Sequence, residues 1–441
     1  GSTTTVFTLN EDETDPENYI SAIKKAATDN PNVEWIIGFG HSINTLFNAN
    51  RNPLEIIDEA VLDRPVIIME QTSHSMWINS KGLELAGITA STPNPQGGII
   101  VKEKGVLQGI LVDNAGDVVF QQAVLPELAK YGITSVSDAR TYWKRDQHKT
   151  WKKLADDNEL TARFNLGLWA YPTENDDTQI ATLKSLFSNN ENSLLKINQI
   201  KLYADGITHN TTAALHTDYK EDYFNQPTNN GLNYFTESRT AKYIQELEAV
   251  GFDFHIHAIG NRGVTEALNA IQQSGTTKGR HRLTHVEMVT SADLNRFKTL
   301  NVTADAQVGG EFTQPQYWHD NDHLLESDLA DNQVPIKSLK DAGARITLSS
   351  DWNVSSLNPF VGIQNAVTRA PQNISLEEAI KAYTLNGAYV MRQEDKVGSL
   401  KEGKLADFVV LDKDIFTISA NQINQTKVVL TVFDGEEIYK K

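Results

Sequence analysis

From Gly132 onward the chain alternates short apolar, β-branched runs with amphipathic helical stretches. The runs are GITSVSDAR, RFNLGLWAY, QIKLYADG, FDFHIHAIG, HRLTHVEM, NVTADAQV and RITLSSDW, and Ala241 to Val250 and Arg262 to Ile271 repeat at helical spacing between them. Such alternation predicts βα units and a parallel sheet, so the fold class is α/β. Seven runs are one short of the eight strands that close a (β/α)8 barrel. Either residues 34–39 or 65–70 supply the eighth strand, or it precedes residue 1. The closing helix is marked by a capping box, Ser375 with Glu378, ahead of Ala379, Ile380 and Tyr383.

Before the barrel, Asp15-Pro16 reads as an N-cap with proline in the first turn, and Tyr19, Ile20, Ile23, Ala26 and Ala27 follow at helical spacing. Strand-like runs at 34–39 and 65–70 flank a short helix at 53–60. The glycine-bounded runs 97–101 and 105–111 predict a hairpin. The span of about 60–115 reads as a small subdomain inserted ahead of the barrel. After the closing helix, VGSLKEGKLADFVVLDKD and VVLTVFDGEEIYKK are β-type runs of a separate sheet. Two or three strands alone are marginal, so an N-terminal segment that pairs with them is expected to precede the chain. The expected division is 1–127 leading into the barrel, 128–395 the barrel, and 396–441 the C-terminal sheet.

Composition narrows the class of function. At 441 residues, with 39% apolar and 22% charged positions, the chain has ordinary globular usage. Its longest apolar runs, such as Phe408 to Leu411, are too short to span a bilayer. Acidic residues outnumber basic ones 57 to 40 and no Lys/Arg-rich tract occurs, which argues against nucleic acid as a partner. There are no cysteines, so any metal must be held by N and O ligands. A cytoplasmic and an extracytoplasmic location fit equally.

The candidate chemistry lies at strand ends. Lys201 in IKLYADG, His257 in HIHAIG, His285 in LTHVE and Asp351 in SSDW each close or nearly close an apolar run. Two imidazoles, a carboxylate and a lysine on separate strands suit a hydrolytic metal centre at the C-terminal face of a barrel. A single buried histidine is as often a hydrogen-bonded core residue; three candidates in the same structural position favour metal. A carboxylate ending an apolar strand is costly unless paired, and a metal offsets that cost for Asp351. Lys201 either carries a carboxyl group on Nζ, making it an anionic bridging ligand, or pairs with Asp205. Trp352 and Arg369 after the last strand, and His74 and Trp77 in the inserted segment, are candidate substrate contacts. For Trp77 simple packing is an equal alternative.

IKLYADG, HAIGNRGV, the Arg-Leu-Thr-His string, SSDWNVSSLNPF, AVTRA and VGSLKEGKLADFVVLD together resemble the amidohydrolase superfamily, and within it the branch that includes N-substituted formamide deformylases. The resemblance covers essentially the whole chain. It implies a distorted (β/α)8 barrel with a small β-sandwich composed from both chain ends, and a homodimer. It also implies one or two divalent metals, zinc the expected ion, held by an HxH pair, a carboxylated lysine, two histidines and an aspartate. Lys201, His257, His285 and Asp351 match the last four positions; no residues match the HxH pair. His255 and His257 have the HxH spacing but precede AIGN, the fifth-strand position. Asn261 stands where the family commonly has Asp, and Thr284 where it often has Glu. The expected activity is hydrolysis of a non-peptide C–N bond in a small molecule, with Asp351 and His285 as catalytic groups. The alternative is a barrel with an incomplete centre that binds a ligand or regulates without turnover. No GxSxG elbow, P-loop or convincing GxGxxG supports a serine hydrolase or a nucleotide enzyme.

Overall fold

The computed structural model describes residues 6–441 save 32, 96, 224, 226, 311, 312 and 353. The chain divides into two compact units, one of residues 1–127 and 142–160, the other of 128–141 and 161–441. The helix Asn114–Lys130 spans the boundary.

The first unit is built on a mixed six-stranded sheet. Its strands are β1 (Val6–Thr8), β2 (Ile36–His41), β3 (Val66–Glu70), β4 (Ser75–Ile78), β5 (Gly98–Glu103) and β6 (Val106–Asp113), in the order β1-β2-β3-β4-β6-β5. Asp15 caps a 3-10 turn, Pro16–Tyr19, that runs into the helix Ile20–Asp29 and returns the chain to β2 beside β1. Helix Pro53–Ala60 likewise carries β2 to β3, so the amino-terminal part holds two βαβ crossovers. Apolar faces of both helices pack with Ile36, Val66, Ile68 and Ile110 in one core. This places residues 36–41 and 66–70 in the first unit's sheet, which removes both as alternatives for the eighth barrel strand. The span 60–115 is joined to the same sheet: β3 pairs with β2, and β4 and β6 extend it, because the backbone N–H and C=O groups of the buried β3 need a partner on each edge. The hairpin is present as β5 and β6.

The second unit carries seven parallel strands in chain order. They are β7 (Ser135–Thr141), β8 (Arg163–Trp169), β9 (Leu195–Tyr203), β10 (Asp253–Ala258), β11 (Arg282–His285), β12 (Thr303–Ala306) and β13 (Arg345–Leu348). Each strand pairs with the next, the topology of a curled barrel sheet with helices in the crossovers. β8, β9 and β10 are buried along nearly their whole length, as strands covered on both faces must be. Among the described residues, no eighth strand pairs with β7 or β13. The capping box at Ser375 and Glu378 starts the helix Leu376–Tyr383.

A three-stranded antiparallel sheet ends the chain: β14 (Phe408–Leu411), β15 (Val428–Phe433) and β16 (Glu436–Lys440), with β15 central. It is tied to the barrel sheet by a buried pair, Arg163 at the start of β8 with Asp407, whose two hydrogen bonds are 2.6 and 3.2 Å long. The aspartate of the LADFVV string therefore has a structural task.

Candidate metal centre

β9 and β10 set the centre of the constellation. Their parallel register places His255 beside Lys201 and His257 beside Tyr203, and alternation puts 201 with 203, and 255 with 257, on common faces. The Tyr203 ring stacks on His257 at 4.5 Å. His285 ends β11 opposite Ala258, and its ring meets that of His257 edge-on at 4.4 Å. His285 and Val286 both have left-handed backbones, φ 75° and 42°. For a β-branched residue and its neighbour this is strain of the kind held at functional sites.

The protonation of His257 follows from its contacts. Nε2 lies 2.9 Å from the carbonyl oxygen of Gly206, to which it donates, leaving the lone pair on Nδ1. A fixed tautomer of this kind is how a ring is oriented for a metal. Burial holds His257 well below its ordinary pKa, with the charges of His285 and Lys201 adding to the effect. His285 is pushed by burial down to about 3. Both rings are therefore neutral, the ligand form.

Lys201 is buried in the sheet interior, and burial pushes it down to about 7, against the pull of Asp351 and then Asp305. Asp205 does not pair with it, contrary to one sequence expectation. Its carboxylate accepts backbone N–H groups from Ala214, Ile259 and Gly260 at 2.9, 3.0 and 2.7 Å and lies 3.6 Å from Nε2 of His257. Burial pushes Asp205 up to about 7, while those three donors favour its charged form. The clamp explains the HAIGNRG string. A Cβ at Gly260 would overlap the carbonyl of Ala214, and one at Gly263 would come 2.5 Å from Oδ2 of Asp205.

Asp351 is not the last residue of a buried strand. β13 stops at Leu348, and Asp351 lies beyond it on an exposed turn with φ 46°, because Ser349 turns toward Asp305. Its charge nevertheless reaches Lys201.

Sequence reasoning missed Asp305. This carboxylate in β12 accepts Thr284 and Thr347 hydroxyls at 2.7 Å each, Ser349 at 2.9 Å and the Gln307 amide at 3.0 Å. It stands 3.9 Å from Nε2 of His255. Neither ring nitrogen of His255 has a hydrogen-bond partner, although the residue is 5% exposed. An aspartate in the middle of an apolar strand, with Thr303 and Gln307 at alternate positions, was the available signal. Arg282 is another buried charge in the same interior, donating to Gln199 at 2.6 Å and to Ser137.

The donors present fit a divalent metal in chemistry: adjacent neutral imidazoles, a buried lysine and orphaned nitrogens on His255. Among the described residues, no three His, Asp or Glu side chains converge closely enough to enclose an ion by themselves.

The candidate substrate contacts are divided between the two units. His74, more than half exposed, donates from Nδ1 to the Asp113 carboxylate at 2.8 Å in the first unit. Trp77 is fully buried in that unit's core with Nε1 donating to Pro53, so it packs and offers no surface to a ligand. Trp352 follows Asp351 and is half-buried. Arg369 is also fully buried; its Nη2 donates to the carbonyl oxygens of Gln333 and Val334, while its Nε and Nη1 have no hydrogen-bond partner.

The sequence pattern of the amidohydrolase family matches residues 2–439. The chain belongs to that family. It is similar to the YtcJ protein of Bacillus subtilis (strain 168), 26% identical with 97% of this chain and 84% of that protein aligned. The N-substituted formamide deformylase of Arthrobacter pascens is 23% identical, with 96% of this chain and 82% of that protein aligned. Among solved structures, a metal-dependent hydrolase from Pyrococcus furiosus superimposes with a TM-score of 0.59 at 23% identity, covering 90% of this chain and 80% of that one. The family makes this chain a hydrolase, and the likeness in structure supports the barrel architecture.

Proposed function

We propose that this amidohydrolase cleaves a non-peptide C–N bond, an N-formyl or N-acyl amine, with Lys201, His257, His285 and Asp351 holding one or two zinc-like ions. The observation that carries the reading is the edge-on approach of two neutral imidazoles at 4.4 Å beside a lysine of lowered pKa. When bound, such a metal polarises the scissile carbonyl and lowers the pKa of water. A lysine near 7 is substantially uncharged at neutral pH, and the neutral amine is the form that adds carbon dioxide through Nζ, releasing a proton to become an anionic ligand.

Asp351, exposed on its turn, takes a proton from the attacking water. As the C–N bond breaks it returns that proton to the departing nitrogen, so base becomes acid. His285 steadies the developing negative charge on the carbonyl oxygen. The Gly206 bond and Tyr203 stacking hold His257 in place without taking part in proton transfer. Trp352, in the barrel unit, is the substrate contact of this reading.

Elemental analysis of the purified protein, together with turnover of a panel of N-formyl and N-acyl amines, tests it. Bound zinc-like metal with release of free amine is the expected result. Folded protein that takes up no divalent metal and releases no amine from any member of the panel overturns it.

A further inference from the structure

A cleft of about 390 Å³ opens at the end of the barrel sheet opposite the candidate metal centre, where β12 and β13 begin. Its floor is apolar, with Phe297, Val302, Ile346 and Ile374 all buried. Its rim carries Lys298, Lys340, Arg345 and Lys381 against one carboxylate, Glu378. That balance stands out in a chain of formal net charge −17.

The pairing of these groups sharpens the contrast. Lys340 is neutralised, bonded to Asp341 at 2.9 Å and Glu378 at 3.0 Å. Lys298, Arg345 and Lys381 form no ion pair among the described residues. The Arg345 guanidinium lies 3.5 Å over the Tyr389 ring, and its polar contact is a 3.3 Å bond to the Asn301 amide oxygen. Lys337 and Arg392, by contrast, each pair with a carboxylate.

A blander account exists for the lysines. Lys298, Lys340 and Lys381 each sit in the last turn of a helix, where the dipole favours a cation. Each helix end contributes only about half a negative charge, so three of them leave the rim positive. Helix ends also do not account for Arg345, which starts a strand, or for the apolar floor. Like charges gathered around a concave surface raise the local potential and attract a counter-ion of matching size. A volume in the range of small-molecule sites, an apolar base and a few convergent cations describe an amphipathic anion.

We propose that this cleft binds a small organic anion, a phosphorylated or polycarboxylated molecule with an apolar body, at a site separate from the hydrolytic centre. The unpaired Lys298, Arg345 and Lys381 hold the anionic groups, and the body rests on Ile346 and Ile374.

The test is calorimetric titration of the full chain at low ionic strength with phenylphosphonate and, separately, isophthalate. The Lys298→Glu/Lys381→Glu double variant is compared with Lys25→Glu/Lys440→Glu, which makes the same change of charge at exposed positions outside the cleft. Saturable binding of either probe, weakened at least about tenfold in the cleft variant and little changed in the control variant, is expected. The better-bound probe tells phosphate from carboxylate recognition. Absence of saturable binding by both probes overturns the proposal, as does an equal loss in both double variants, which would mark a general charge effect. Both altered lysines are solvent-exposed, so folding is not at stake.

Discussion

Asp205→Ala isolates the clamp that holds the loop after β10 against His257. The native carboxylate is the acceptor for the N–H groups of Ala214, Ile259 and Gly260, all buried. Alanine supplies no acceptor, and each buried donor left without one costs about 1–3 kcal/mol. Three orphaned donors give an upper figure near 9 kcal/mol, but relaxation and water entry through the space of the lost carboxyl favour the lower end, about 3 kcal/mol. That is a large share of the roughly 5–15 kcal/mol available to a domain, and equals a fall of about 5 °C in melting temperature for a unit of this size. Urea unfolding followed by circular dichroism measures the loss. Hydrogen exchange resolved to residues 214, 259 and 260 localises it, since those amides should lose protection beyond the global decrease. An unchanged urea midpoint, or protection at the three amides equal to that of their neighbours, would refute the assignment of Asp205 as their common acceptor.

Asp351→Asn should retain most bound metal by elemental analysis while turnover falls at least about a hundredfold, the usual scale for removing a proton-transfer group; full activity removes Asp351 from the mechanism. Asp117 in the first unit is pushed by burial from 3.8 up to about 6, with its Oδ2 lacking a hydrogen-bond partner. Its folded form therefore binds the proton more tightly than the unfolded chain, and stability falls as pH rises from about 4 to about 6, by up to about 3 kcal/mol. Asp117→Asn should flatten urea midpoints across that window, and a slope identical to native would count against the assignment. Asp407→Ala leaves Arg163 buried and uncompensated, so a loss of about 3–5 kcal/mol is expected, read as a lowered unfolding midpoint; a loss under about 1 kcal/mol would mean that the pair is solvated.

Much of the barrel was legible because its strands are covered on both faces and therefore leave runs of apolar, β-branched residues bounded by glycine. The seven runs from GITSVSDAR to RITLSSDW each overlap a strand, and the strands pair in the order in which they occur. Local signals also survived intact, as the Asp15 cap and the Ser375 capping box show. Residues 36–41 and 66–70 were harder. An apolar strand carries no mark of the sheet it joins, and only pairing through the helix Pro53–Ala60 settles it. The site shows the same division. Lys201, His257 and His285 were readable as polar groups in apolar runs, whereas the hydroxyls gathered by Asp305 come from β11, β13 and the turn after β13, with no common spacing in the chain.

By itself the sequence determined the succession of βα units, the family strings, and which residue types could meet at the strand ends, because these depend on periodicity and on the cost of burying a charge. Tertiary structure decided what those residues do there. It turned Trp77 inward as a packing group, fixed the tautomer of His257 through Gly206, and set Asp205 as a loop clamp rather than a partner of Lys201. Each of these outcomes depends on the direction in which a side chain leaves its strand and on which distant backbone group it meets, and both are properties of packing that no local window of sequence contains.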